Sequence, residues 1–117
     1  MKFVLLIVET AESKRHLRTD RTAHRRRLEE WMTVQGEAGR LLGGEAFEGE
    51  DAATTVRRDG DEVTVTGGPF NRGGETVGGF VLVDAADRDE AVELAKTWPT
   101  GETIEVRQVW AASWRST

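Results

Sequence analysis

Cysteine is absent from this chain, histidine occurs only twice, as His16 and His24, and no apolar run is long. The first absence removes disulfides, thiolate nucleophiles and thiolate metal sites together, and it fits a reducing, cytoplasmic setting. The second leaves no basis for a histidine-rich metal centre, so neither metal nor cofactor is expected. The greasiest stretch, Phe3 to Val8, is too short to span a bilayer and has no small-residue cleavage site after it. It reads as a first strand, and no membrane partner is expected.

What is present describes a small globular unit. A length of 117 residues fits one domain, 1–117, with no room for a second core. Hydrophobic residues at 38% against charged residues at 32% place the chain among folded rather than disordered proteins. Its net charge of −5 is unevenly spread: residues 14–27 hold seven basic side chains against Asp20 alone, a balance of +6, which leaves −11 elsewhere. Such a run is a solvated helix face or a cationic rim for a small anion. Nucleic acid is disfavoured by the acidic pI of about 5.1.

Hydrophobic periodicity orders the elements. Phe3, Leu5 and Ile7 line one side of the first strand and Val4, Leu6 and Val8 the other, so both sides need cover. Residues 79–83 repeat the pattern. A helical region runs from after Thr10 to about Ala38, as a short helix through Leu17 and a main one from near Asp20, with Leu17, His24, Leu28, Trp31 and Met32 at helical spacing. A second helix starts at the capping residue Asp87, buries Ala91, Val92, Ala95 and Trp98, and stops at Pro99. Strands are expected near Gly44–Phe47, at Thr54–Arg58 and Asp61–Thr66 around an Asp59-Gly60 turn, and at Thr103–Trp110. The order strand, helix, strand, hairpin, strand, helix, strand is α+β and ferredoxin-like, an antiparallel sheet with its helices on one face. Since two helices cover only one side, the other side calls for a second copy of the chain, a homodimer.

Residues 63–80 read VTVTGGPFNRGGETVGGF. This resembles the signature of the DGPF-domain branch of the YCII-related family, with Gly67-Gly68-Pro69-Phe70 in place of Asp-Gly-Pro-Phe, followed by Glu75 and Gly78-Gly79-Phe80. Gly44-Glu45, Ala53-Thr54-Thr55-Val56-Arg57, Trp98-Pro99 and Ile104-Glu105-Val106-Arg107 agree with it, so the likeness extends over most of the chain. Arg21-Thr22-Ala23-His24 with Leu28 is similar to an Arg-x-Ala-His segment of the smaller relatives, whose histidine is the proposed catalytic one. The resemblance implies a dimeric α+β barrel. It also implies one of two functions: a cofactor-independent enzyme on small aromatic substrates, or a member of no known activity, some being encoded beside extracytoplasmic-function sigma factors. Gly67 departs from the pattern, removing any role of that leading carboxylate.

Among side chains that carry chemistry, His24 stands out because imidazole is the side chain suited to proton transfer near neutral pH and because it shares the apolar stripe with Leu28 and Trp31. Asp20, four residues earlier, is expected to orient it. Arg21 and Arg25 are candidates for attracting an anion, and Glu45, Phe70 and Glu75 for lining a substrate pocket. The glycines of 67–79 lack the GxxxxGK[ST] spacing and precede a strand, so they serve turns rather than a phosphate loop. Trp31 and Trp98 read as core residues, and Trp110 and Trp114 as packing or interface residues. Two function classes follow: an acid/base enzyme on a small anionic or aromatic molecule, or a non-catalytic module that binds a ligand or a protein, such as a sigma-factor-associated regulator.

Overall fold

The computed structural model describes residues 1–110. Its strands are β1 (Lys2–Glu9), β2 (Leu41–Ala46), β3 (Thr54–Asp59), β4 (Glu62–Gly67), β5 (Thr76–Asp84) and β6 (Thr103–Gln108). The helices are α1 (Ala11–Thr19), α2 (Arg21–Glu37) and α3 (Arg88–Lys96), with a 3-10 turn at Glu50–Ala52. Four strands form one antiparallel sheet in the order β2-β5-β1-β6, and β3 and β4 pair separately as a hairpin. The fold is α+β, with the ferredoxin-like sheet order and the hairpin inserted between two of its strands.

Alternation along β1 decides which layer lies where. Phe3, Leu5 and Ile7 are buried, and with Val81, Val83, Trp31, Ala91 and Leu94 they form the core under the helices. Burial of side chains such as Phe3 and Leu5, both fully enclosed, contributes about 1.5–3 kcal/mol each. On the opposite side Val4, Leu6, Phe80 and Leu82 are only half-buried. Register pairs Leu6 with Phe80 and Val4 with Leu82, so these four make a continuous apolar surface on which no helix among the described residues sits.

Local chemistry explains the helix ends. Thr10 and Ser13 cap α1 reciprocally: the Ser13 amide donates to Thr10 Oγ1 at 3.1 Å and the Thr10 amide to Ser13 Oγ at 2.9 Å. At Asp20 the backbone leaves helical geometry (φ −147°, ψ 52°), breaking the long helical region where the sequence suggested it. Asp87 caps α3 by accepting from the Glu90 amide at 2.9 Å.

The β3–β4 hairpin closes one residue later than expected. Asp59 pairs with Glu62, so the central turn residues are Gly60 and Asp61 rather than Asp59 and Gly60. Gly60 has φ +60° at the first central position, which glycine takes without strain and which suits a type II′ connection. Val56, Val63 and Val65 share one side of the hairpin and stay exposed. Trp110 is also exposed, while Trp114 lies outside the described residues.

Candidate functional site

The α2 stripe His24, Leu28, Trp31, Gln35 turns one apolar side toward the sheet, and His24, Trp31 and Gln35 are buried along it. Trp31 meets Trp98 edge to face at 5.0 Å, and its indole donates to Thr97 Oγ1 at 2.8 Å, which locks α2 onto the end of α3. Beyond Trp98 the chain turns into β6 and delivers Glu102 beneath α2. There His24 Nε2 lies 3.1 Å from Glu102 Oε1, with both side chains nearly sealed, 9% and 3% exposed. The second oxygen of Glu102 accepts from Trp98 Nε1 at 3.4 Å.

A second acid closes in from β1. The alternation that buries Phe3, Leu5 and Ile7 also turns Glu9 to the helix side, at the strand's end. Its carboxyl is pushed above its ordinary value, first by burial and then by the Glu102 carboxylate, with Glu50 adding to the effect and Lys14 and His24 opposing it. Lys14 on α1 pairs with Glu50 Oε2 at 2.5 Å and donates to the Gly74 carbonyl at 3.2 Å. Thr76 Oγ1 donates to the same Glu50 oxygen at 2.9 Å. The Lys14 ammonium and the Thr76 hydroxyl hold the Glu50 carboxyl below its ordinary value.

Two open clefts flank this cluster. One, of about 370 Å³, is lined by Ala11, Lys14, Arg18, Gly73, Gly74 and Glu75, and is cationic on its helical wall. The other, of about 380 Å³, has Phe47, Pro69, Phe70 and Val77 on its walls and Glu50 and Thr76 at its polar end. Lys14 belongs to the first and Glu50 to the second, so their ion pair stands where the clefts approach each other.

The residues expected from sequence do not form one constellation. His24 is inside, but the carboxylate beside it is Glu102 rather than Asp20. Asp20 occupies the break between α1 and α2, where its backbone carbonyl accepts from the His24 amide at 3.1 Å; its own backbone is not helical, so the expected four-residue helical contact does not form. Arg21 and Arg25 are exposed on α2. Glu45 lies on β2 opposite Phe80, on the sheet side away from the helices. Phe70 and Glu75 line different clefts, and Glu75 accepts from Thr103 Oγ1 at 3.4 Å.

Glu9, Lys14, Glu50, Thr76 and Glu102 were missed. One signal was available: Glu9 directly ends a strand whose same-side residues are all apolar, so its side chain had to enter the helix layer. Among the described residues no three histidine or acidic side chains converge closely enough to hold a metal ion. No helix among them is long and apolar enough to cross a membrane.

The sheet order is that of a ferredoxin-like α+β domain. The family model of the YCII-related domain matches residues 1–114, and the chain belongs to that family. No curated protein matches its sequence.

Proposed function

We propose that the chain is a cofactor-independent acid/base enzyme acting on a small aromatic acid, belongs to the DGPF branch of the family, and works in the cytoplasm as a homodimer joined through the Val4, Leu6, Phe80 and Leu82 surface. The observation that carries the catalytic reading is the close approach of His24 to Glu102 in a nearly water-free position. A carboxylate beside an imidazole fixes the ring's orientation and stabilises its cation, which makes the other ring nitrogen, Nδ1, a usable base. The aromatic body of the substrate fits the Phe47, Pro69 and Phe70 walls, and its carboxylate is drawn to Lys14 and Arg18.

Phenylpyruvate serves as a probe, because its benzylic protons are acidic enough for a histidine to remove. Proton NMR in D2O would follow their exchange with and without protein. Saturable exchange above the buffer rate is expected, with His24→Gln slower by about 100-fold or more while the fold, read by circular dichroism, is retained. Gln still offers Glu102 a donor, so loss of rate with the fold intact separates chemistry from structure.

One observation favours the non-catalytic alternative: His24 lines neither cleft. A module that only binds would take up phenylpyruvate in the Phe47 and Phe70 cleft, seen as saturation transfer, with no exchange above buffer and no effect of His24→Gln.

A further inference from the structure

Of the three carboxyl groups of this cluster, two are already engaged. Glu102 has His24 on one oxygen and Trp98 on the other, and Glu50 has Lys14 and Thr76. Glu9 differs: among the described residues its carboxyl makes no side-chain hydrogen bond or ion pair, and the residue is only partly buried. Among the described residues it is therefore the carboxyl of the cluster without a side-chain partner.

The seat of Glu9 is built by the neighbouring strand. Register runs Ile7 to Gly79 and then Val8 to Val77, so Gly78 is the extra residue of a bulge with no partner on β1. A Cβ on Gly78 would come within 2.8 Å of Glu9 Cδ and 3.0 Å of its Oε1. The Glu9 side chain lies across bare backbone, and any other residue at position 78 would push it away. Four charged groups face it there: Lys14 from α1, His24 from α2, Glu50 from the 3-10 turn and Glu102 from the segment before β6. From β5 come the uncharged Thr76 and Gly78.

We propose that Glu9, seated against Gly78, is the proton donor of the site while His24 acts as the base. This rests on the acid/base reading given above. A carboxyl group and an imidazole side by side can divide the work of acid and base. Burial and the Glu102 carboxylate keep Glu9 protonated to higher pH than an ordinary glutamate, so it has a proton to give. On an enolisable aromatic 2-oxo acid the step balances: His24 takes the proton of the C–H bond, the C–H electron pair becomes the new C=C bond, and Glu9 protonates the former carbonyl oxygen. The substrate leaves as its enol with unchanged charge. Proton return by the reverse path, after exchange with solvent, restores both groups and gives the deuterium uptake that the assay reads.

The test combines a titration with the exchange assay. In protein labelled with 13C at the glutamate carboxyls, the resonance lost in Glu9→Gln should titrate above the ordinary glutamate range. It should move down in Glu102→Gln and stay in place in Glu45→Gln, a change on the far side of the sheet. Glu9→Gln should slow phenylpyruvate exchange by about 100-fold. Gly78→Ala should slow it similarly while circular dichroism stays that of the folded sheet. An ordinary titration midpoint, or one indifferent to Glu102→Gln, overturns the proposal. Exchange that survives Glu9→Gln overturns it while leaving His24 as a base. A wild-type protein that exchanges nothing refutes the acid/base reading itself, and the role of Glu9 with it.

Discussion

Separating His24 from Glu102 should cost stability in a way that identifies the two as partners. At 3.1 Å the His24 Nε2–H and the Glu102 carboxylate make a charge-assisted hydrogen bond, worth about 1.5–3 kcal/mol. Much of that offsets the loss of water around side chains only 9% and 3% exposed. Removing one partner leaves the other buried without its hydrogen bond, so His24→Leu, which strands a carboxylate, should destabilise by about 3–5 kcal/mol and Glu102→Leu by about 1–3 kcal/mol. The double variant leaves neither group stranded, and its cost should fall short of the sum by about 2 kcal/mol, within the range found for residues in contact. Urea unfolding of the four proteins at one fixed protomer concentration and pH 7 gives the cycle directly. Total stability of a domain this size is about 5–15 kcal/mol, which leaves room for each single variant to remain folded at low denaturant. If the two single effects add to within about 0.5 kcal/mol, the groups are neighbours without coupling, and the assignment of Glu102 as the residue that orients His24 is wrong.

Two further outcomes follow from the same structure. Glu9 has a folded-state value above its ordinary 4.5, so as pH rises from about 4.5 through the folded value the native state retains a proton that the unfolded chain has lost, and stability falls. Glu9→Gln should remove that component and raise the melting temperature at neutral pH, whereas a lower melting temperature would contradict the burial of its charge. Because Glu50 is shifted the other way and loses stability as pH falls, the quantity to compare is the difference between wild type and variant across pH 4–8. On the open sheet surface, Leu82→Glu places a charge beside Val4 and should convert a homodimer into a folded monomer at micromolar concentration, read by sedimentation velocity. Monomeric wild-type protein would remove the reason for that surface.

The fold was legible because its determinants are local. Alternation in residues 3–8, the Thr10 and Asp87 caps, the α2 stripe through His24 and Trp31, and Pro99 after α3 each act within a few residues of the chain. The hairpin turn was misplaced by one residue because Asp-Gly and Gly-Asp turns are both good hairpin chemistry, and only the Asp59 to Glu62 pairing separates them. The site was mostly hidden for the opposite reason. Glu102 reaches His24 only after α3 has docked through the Trp31 and Trp98 contact, and no spacing rule links the two positions. Asp20 looked the better partner because helical spacing assumes a continuous helix, and the break falls on Asp20 itself. Glu9 was readable from strand parity alone, but what it meets there depends on α1, α2 and the bulge at Gly78.

The hairpin's separation from the main sheet divides labour within the chain. The ladder β2-β5-β1-β6 is complete without β3 and β4, yet the segment that follows β4 carries Pro69 and Phe70, which shape one cleft. Insertions, deletions and exchanges of side chains in that arm can therefore reshape what the cleft admits without disturbing a single rung of the scaffold. Diversity of ligand and constancy of architecture are compatible in this protein because they reside in different stretches of backbone.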